Sequence, residues 1–440
     1  MTDADPSRAG SPGPAPAEPA VVDPAVPPSG GLATTSTFAS LAVPNYRRFF
    51  LGQAVSLTGT WMQSVALAWL VLQLTGSATW VGLAVALQTL PVLLLGPYAG
   101  VLVDRVDKRR LLLGTQSAAA AQALLIGVLT VRGDVTMAWV LALSLVLGLV
   151  NTLDNPGRQS FVREMVTGPL VRNAVTLNSV VVNASRAVGP AVGGLLIARY
   201  GVGVCFLINA ASFLAVIGAY LTMDVAQLGR ATPAPRAPRQ LRDGLSYVRR
   251  TPDLFVPLLM MALVGTLTYE FSVSLPALAT DTFGEGAAAL GAITSAMGVG
   301  AVLGGLASAS RSATGIRPLA VSATAFGVAT ACTALSPTVQ VAGASLLLVG
   351  AASVWFLSVG NATLQLTAAP QMRGRVMALW AVAFLGSTPL GGPLVGWVSE
   401  HLSPRWGLGL GAAAALGAAG IGAWALRSHA AHAVPQPEAG

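Results

Sequence analysis

Hydrophobic residues of this chain fall into twelve long stretches, which short polar segments separate. A helix needs about 20 consecutive apolar residues to cross the hydrocarbon core of a bilayer, and the stretches have about that length or more. They run over about 49–74, 79–103, 111–131, 137–156, 173–198, 203–223, 255–279, 287–309, 318–335, 339–366, 376–398 and 406–427. The pattern predicts an all-α integral membrane protein with twelve transmembrane helices.

The polar segments divide the chain into parts of different composition. Residues 1–36 are rich in Pro, Ala, Gly and Ser and lack the apolar core of a signal peptide, which favours a disordered cytoplasmic tail. A linker rich in Pro and Arg separates the sixth stretch from the seventh. The predicted parts are the tail 1–36, an N-terminal six-helix half 37–223, a cytoplasmic linker 224–254, a C-terminal six-helix half 255–427 and a cytoplasmic tail 428–440.

Composition removes several classes of protein. The 440 residues are 54% hydrophobic and only 10% charged, whereas a soluble domain carries about 25% charged residues. A soluble enzyme, a coiled coil and a disordered chain are therefore excluded as descriptions of the whole chain. The single lysine, Lys108, lies outside any phosphate-binding loop, which excludes an ATP-driven pump built on this chain alone. The two cysteines and three histidines lack metal-ligand spacing, so we expect neither a metal nor another cofactor.

The basic residues predict how the chain lies in the membrane. With the N-terminus inside, 21 of the 25 Lys and Arg residues fall in cytoplasmic segments, three fall in outer loops, and Arg186 falls within a stretch. This asymmetry predicts that both termini lie in the cytoplasm. The predicted location is the cytoplasmic membrane. The basic groups form no continuous stripe with interleaved aromatic residues, so we expect no nucleic-acid partner. We expect a monomer in the lipid bilayer.

Several short patterns recur at a nearly constant offset, which indicates an internal repeat. Asn155-x-x-x-Gln159 recurs at an offset of 206 residues, and Gly189-Pro190-x-x-Gly193 recurs at an offset of 203. Two further pairs agree, Phe49 with Phe255 and Gly100 with Gly304. Two related halves are typical of secondary transporters, whose substrate site lies between the repeats near the middle of the membrane.

The segment between the second and third stretches resembles motif A of the major facilitator superfamily. Its matching residues are Gly100, Asp104, Arg105, Lys108 and Arg109, and Asp107 stands where the family usually has a second glycine. Segments 154–161, 177–179 and 183–190 resemble the exporter subgroup that includes the enterobactin exporter and macrolide-efflux proteins. The resemblance covers about residues 41–427 and implies the major facilitator fold.

The resemblance also implies a charged latch on the cytoplasmic side. Asp104 would meet the start of the eleventh span near Arg375, where the positive end of a helix favours a carboxylate. Lys108 would pair with Asp154, which is predicted to end the fourth span. The alternative interpretation is that these charges only mark a cytoplasmic loop.

A glycine-rich pattern in the fifth stretch resembles motif C, the antiporter motif. Its members are Ser185, Gly189, Pro190, Gly193 and Gly194. Glycines let two helices approach closely, and proline bends a helix. Ordinary small-residue packing explains the same residues, so the inference of export comes from the resemblance alone.

Two ionisable residues, Glu270 and Arg186, lie deep within predicted spans, where a charge costs about 2.5–3.5 kcal/mol and usually serves a function. Glu270 is the candidate proton carrier, and Arg186 is a second candidate for proton coupling. Alternatively, Glu270 is a structural carboxylate satisfied by Arg186 or by hydroxyl groups, and Arg186 holds spans together or pairs with Asp154.

The resemblance implies that spans 1, 4, 7 and 10 face a central cavity. The candidate substrate-contacting residues there are Trp61, Gln63, Asn151, Tyr269, Phe271, Trp355, Asn361 and Gln365. Aromatic and amide groups fit a large amphipathic ligand, although any single tryptophan can equally face lipid. Glu400 and His401 are interpreted as a surface pair.

Together these observations predict a secondary active transporter that exports a hydrophobic or amphipathic small molecule in exchange for protons, by alternating access. One alternative is a proton-coupled importer of a small metabolite, although few polar groups lie at mid-membrane. A second is an integral-membrane enzyme that acts on lipid. Scarce histidine and the absence of HExxH and GxSxG motifs argue against it.

Overall fold

The computed structural model describes residues 37–229, 240–309, 313–385 and 388–432. The predicted tail 1–36 lies outside the described residues, as do part of the linker and the last eight residues. The described residues form helices joined by turns and loops, and twelve candidate membrane spans are present among them. The predicted all-α, twelve-span architecture is confirmed.

The helices of the N-terminal half are long and follow one another closely. They are α1 (Pro44–Thr75), α2 (Ala78–Arg105), α3 (Lys108–Arg132), α4 (Met137–Met165), α5 (Leu170–Tyr200) and α6 (Val202–Leu221). The short helix α7 (Gln240–Arg249) follows in the linker. Gly76, with a φ of 63°, ends α1 and donates its backbone N–H to the Leu72 carbonyl. Only glycine adopts this left-handed conformation without strain, so the chain can turn there.

The seventh span of the C-terminal half is interrupted, and the eleventh is described on either side of residues 386–387. The seventh span consists of α8 (Pro252–Leu267), α9 (Phe271–Ala277) and a π-helical turn (Leu278–Thr282). The eleventh span consists of α13 (Arg373–Leu385) and α14 (Thr388–His401). The continuous helices are α10 (Ala287–Ala309), α11 (Ile316–Ala334), α12 (Val339–Thr367) and α15 (Pro404–His432).

The fourth span is longer than predicted, because α4 continues to Met165 rather than ending near residue 156. The sequence Asp154-Asn-Pro-Gly-Arg158 has the composition of a helix end, yet the helix runs through it. Polar side chains in this segment bond to one another and to neighbouring helices. Asp154 and Arg158 therefore lie within the helix instead of in the loop that follows it.

The N-terminal half closes around a cluster of aromatic side chains. Phe161 of α4 and Tyr220 of α6 meet edge to face, with ring centroids 5.9 Å apart, and Phe49 of α1 contacts both. Tyr46 donates its hydroxyl to the Ala174 carbonyl of α5 over 2.7 Å. These rings hold α1, α4, α5 and α6 together near the face at which α1 begins, which we call the terminus face.

The two halves touch near the other side of the bundle, which we call the far face, where α1 ends. A Cβ atom on Gly194 of α5 would lie 2.8 Å from the Cα of Gly291 on α10, and the reverse also holds. A Cβ on Gly396 of α14 would lie 2.5 Å from the Ala78 carbonyl oxygen of α2. The backbones therefore meet directly, as they do at small-residue helix contacts in membranes.

Near the terminus face the same helices are less crowded. Among the described residues, nothing lies within 4 Å of a Cβ placed on Gly96 of α2 or on Gly374 of α13. Tyr98, on the same part of α2, is 75% exposed. The packing between α2 and the eleventh span is therefore tighter at the far face than at these positions.

Candidate functional site

A polar group lies between the halves, where α5 and α10 cross. A Cβ on Gly298 of α10 would lie 2.7 Å from the Arg186 carbonyl oxygen, so α10 passes directly over this turn of α5. The Arg186 guanidinium carbon lies 5.5 Å from the centre of the Trp61 ring on α1, within the range of a cation–π contact. Its Nε atom is buried and has no hydrogen-bond partner among the described residues.

Ser295 brings a second unsatisfied polar group to the same helix crossing. It lies between Gly291 and Gly298, four residues after the first and three before the second. All three therefore share the face of α10 that packs on α5. The Ser295 hydroxyl is buried and has no partner in the described part of the chain.

Tyr269 contributes a polar aromatic group from the other half and interacts electrostatically with Arg186. Its hydroxyl donates to the Ser353 carbonyl of α12 over 2.9 Å. The rings of Phe326 and Phe384 meet its ring edge to face, at centroid distances of 5.2 and 5.1 Å. Tyr269 therefore connects the site to the core of the C-terminal half.

Glu270 lies at the interruption of the seventh span, immediately before α9. The Thr388 hydroxyl of α14 bonds to its carboxyl group, while Oε1 is buried with no hydrogen-bond partner among the described residues. A Cβ on Gly391 would lie 3.1 Å from Oε1, and one on Gly392 would lie 3.4 Å from Oε2. Interrupted transmembrane helices are typical of transporter binding sites, and this interruption places a carboxyl group against the eleventh span.

The prediction that Lys108 of motif A pairs with Asp154 is wrong. The Lys108 ammonium lies 2.5 Å from Oε1 of Glu164 rather than pairing with Asp154, and both side chains of the pair are about nine-tenths buried. Because α4 extends past Asp154, its last turn brings Glu164 to the beginning of α3. Asp154 instead accepts hydrogen bonds from Thr115 and Gln116 of α3.

Other residues of motif A bond to helix ends. Asp107 accepts a hydrogen bond from the Arg110 backbone over 2.9 Å and caps the start of α3, so an acid suits the position where the family usually has glycine. Arg109 donates to the carbonyls of Tyr220 and Leu221 at the end of α6. Gly100, Asp104 and Arg105 lie in the last two turns of α2. The predicted contact of Asp104 with the eleventh span stays a prediction.

Motif C faces both α1 and α10. Cβ atoms on Gly189 and Gly193 would contact Trp61 and Met62 of α1, and Thr58 of α1 donates to the Ser185 hydroxyl over 3.2 Å. On the next face of the helix, Gly194 and the Pro190 carbonyl meet Gly291 of α10. The motif is therefore part of the contact between the halves at the far face.

The predicted cavity residues do not form one group. Gln63 is buried between α1, α3 and α6, where it donates to Gln122 and accepts from Asn209. Phe271 is buried against Phe326 in the core of the C-terminal half. Trp61 lies at the crossing described above and contacts Arg186, and Tyr269 lies within electrostatic range of Arg186.

The remaining predicted cavity residues lie on α4 and α12. Asn151 is half-buried on α4. Asn361 and Gln365 bond to each other on α12. Trp355 lines an apolar groove of about 370 Å³ between α10, α11 and α12.

Comparison with known proteins decides the family. The sequence profile of the family described as transmembrane secretion effector, within the major facilitator superfamily, matches residues 35–436. The chain belongs to this family. The major facilitator assignment made from motif A is confirmed.

Other proteins that resemble this chain agree with the family assignment. The multidrug efflux pump Tap of Mycolicibacterium fortuitum is 29% identical over 78% of this chain and 87% of its own length. The staphyloferrin A transporter of Staphylococcus aureus is 28% identical over 38% of this chain and 43% of its own length. The chain spans about half the length of two of the curated relatives it matches.

The fold of the secretion effector is that of solved major facilitator proteins. A bacterial homologue of the human lysosomal transporter Spinster, in an inward-facing unoccupied conformation, superposes with a TM-score of 0.70 at 14% identity. The match covers 90% of this chain and 99% of that one. The relatives named above are transporters rather than enzymes.

Three residues of the secretion effector that sequence reasoning missed bring polar groups between helices. Glu164 bonds Lys108, Ser295 lies at the α5–α10 crossing, and Glu400 bridges the halves. The Glu400 carboxylate accepts from the hydroxyls of Ser77 and Thr79 at the start of α2, each over 2.5 Å. Glu400 is exposed, as its interpretation as a surface residue expected, but it lies within α14 and also bonds across the boundary between the halves.

Proposed function

We propose that this secretion effector exports an amphipathic small molecule from the cytoplasm in exchange for protons, with Glu270 as the proton carrier. The observation that supports this most directly is the Glu270 carboxyl group. It is buried at a helix interruption between the halves, with one oxygen lacking a hydrogen-bond partner among the described residues. An unpaired carboxylate is costly in such a place, and a neutral carboxyl group costs much less.

The orientation follows from the distribution of basic residues. The predicted cytoplasmic segments carry 21 of the 25 Lys and Arg residues, which supports a cytoplasmic position of both termini and of the terminus face. The far face then points out of the cell. Its tight contacts, α2 with α14 and α5 with α10, support an inward-facing arrangement in which the substrate enters from the cytoplasm.

The coupling mechanism follows from what surrounds Glu270. When the far face is open, the carboxyl group takes up a proton from outside. The neutral group can then be covered by Gly391 and Gly392 as α14 closes against α2. Release of that proton to the cytoplasm leaves a charged carboxylate, which favours reopening of the far face once substrate is bound. Arg186, whose guanidinium stays charged, cannot carry a proton and acts as a fixed positive charge.

The name of one relative, a multidrug efflux pump, supports export of small molecules, and the name of another, a staphyloferrin A transporter, supports transport of small molecules. We extend the direction of transport to this chain as part of the proposal. An importer of the same fold would require the substrate to bind first from the far face.

Transport by reconstituted protein tests the proposal. Proteoliposomes with an imposed pH gradient are assayed for movement of ethidium, Hoechst 33342 and 1-naphthoate, which are amphipathic probes of positive or negative charge. We expect gradient-driven movement opposite to the proton flow, reduced at least about tenfold in Glu270→Gln. Glu285→Gln is the matched control, because Glu285 is exposed in the loop before α10. Undiminished coupled transport by Glu270→Gln would exclude Glu270 as the carrier.

A further inference from the structure

Arg186 carries a positive charge that no carboxylate of the described residues neutralises. The ion pairs found in the described ranges join Lys108 to Glu164 and Arg158 to Asp154. Glu270 is bonded to Thr388 instead. A charged residue near the middle of a span normally pairs with another group or faces a polar pathway. The described residues therefore supply no counter-charge for Arg186, and a bound anion would provide one.

The surroundings of Arg186 have the form of an anion site. Trp61 covers the guanidinium with the face of its ring, which is a cation–π contact. The buried Nε has no partner among the described residues, and neither has the Ser295 hydroxyl on the facing helix. The side chain as a whole is only half-buried, so a ligand can reach its outer nitrogens. A guanidinium binds a carboxylate or a phosphate group through two parallel hydrogen bonds.

The aromatic residues around this site indicate the rest of the ligand. Trp61 of the N-terminal half contacts Arg186, and Tyr269 of the C-terminal half lies within electrostatic range of it. Flat apolar groups pack well on such rings. An anion with an aromatic or other apolar body would therefore contact both halves at once.

We propose that the exported substrate is an amphipathic carboxylate and that Arg186, with Ser295, binds its anionic group at the crossing of α5 and α10. This inference rests on the proposed export function and adds the chemical class of the substrate. The carboxylate supplies the missing counter-charge, and its apolar body lies against Trp61 and Tyr269. A lipid phosphate headgroup offers related chemistry, and the experiment below separates it from a small carboxylate.

Binding of a matched pair of probes tests the charge requirement. Radiolabelled 1-naphthoate and 1-naphthamide have the same ring and differ in charge. Their affinities are measured by equilibrium dialysis against the purified full chain in phosphatidylcholine nanodiscs, with empty nanodiscs as background. We expect naphthoate to bind at least about tenfold more tightly than naphthamide. Arg186→Gln should abolish that preference, and Arg186→Lys should restore part of it.

Arg199→Gln is the matched control, because it removes a charge from the exposed end of the same helix. Folding of each variant is checked by its melting temperature. The proposal is overturned if naphthoate does not bind, if both probes bind equally, or if Arg186→Gln keeps the preference. It is also overturned if adding phosphatidylglycerol to the nanodiscs displaces naphthoate in proportion to its amount, since a lipid headgroup then occupies the site.

Transport of cationic Hoechst 33342 in the same preparation separates this inference from the proposed export function. If Hoechst 33342 moves with the gradient but naphthoate binds no more tightly than naphthamide, the export function is supported and a carboxylate substrate is excluded. A naphthoate preference without gradient-driven movement of either compound would support the anion site and contradict proton-coupled export.

Discussion

Gly82 of α2 and Gly392 of α14 meet backbone to backbone across the boundary between the halves. A Cβ placed on Gly82 would overlap the Gly392 carbonyl group and would lie 2.8 Å from the Pro393 nitrogen. A Cβ placed on Gly392 would also lie 3.4 Å from Oε2 of the Glu270 carboxyl group. One turn of α14 therefore contacts both the closed far face and the residue proposed to carry the proton.

Gly82→Ala should open the far face. The added methyl group has no room against Gly392, so α2 and α14 must separate. Spin labels at Asp134 and Gln340, both exposed at the far face and one in each half, report the distance by double electron–electron resonance in a cysteine-free background. We expect the main distance to lengthen in Gly82→Ala. Gly96→Ala on the same helix has free space and should leave it unchanged; equal distances in both variants would refute close packing at Gly82.

Glu400→Ala should weaken the same contact to a smaller extent. Its carboxylate receives hydroxyl hydrogen bonds from Ser77 and Thr79 and a backbone hydrogen bond from Thr79, all across the boundary between the halves. Because the Glu400 carboxylate is exposed to solvent at the far face, we expect its removal to destabilise the closed far face by only roughly 1 kcal/mol. The spin-label pair at Asp134 and Gln340 would then show a mixture of short and long distances. Glu285→Ala, another exposed acid at that face, should keep the short distance.

Acidic pH should favour closure of the far face. The neutral form of Glu270 can be buried against Gly391 and Gly392, whereas the charged form is left with an unpaired oxygen. The fraction with a short Asp134–Gln340 distance should therefore rise as pH falls and decline as pH rises. In Glu270→Gln, which is always neutral, we expect a closed fraction that does not change with pH. A pH response of equal size in that variant would show that another group controls closure.

The sequence predicted the helices better than it predicted their contacts. Apolar length alone marks a membrane span, and all twelve spans were predicted within a few residues except the end of α4. There the Asp-Asn-Pro-Gly sequence favours a helix end, but Asp154 bonds to Thr115 and Gln116 inside the bundle. Such bonds join residues far apart in the chain and leave no trace in local composition.

The sequence predicted only part of the candidate site, because the orientation of a helix face is also set by contacts between distant residues. Charges within an apolar span are visible in one sequence, so Glu270 and Arg186 were predicted to be important, although their roles are untested. Whether a residue on a span faces a cavity, a neighbouring helix or lipid depends on how the helix is rotated. Gln63 and Trp61 are two positions apart on α1, yet Gln63 bonds within the N-terminal half and Trp61 covers Arg186.

Lys108 and Glu164 should be energetically coupled, and Lys108 and Asp154 should not. Removal of one member of a buried ion pair leaves an unpaired charge and costs about 3–5 kcal/mol. We expect Lys108→Ala and Glu164→Ala each to lower the melting temperature of the purified protein strongly. The double variant should lose much less than the sum of the two losses, because neither charge is then left alone. In the parallel cycle, Lys108→Ala and Asp154→Asn should be additive, because Asp154 bonds to Thr115 and Gln116. Additivity in the first cycle would refute the Lys108–Glu164 pair, and strong coupling in the second would restore the pairing that motif A suggested.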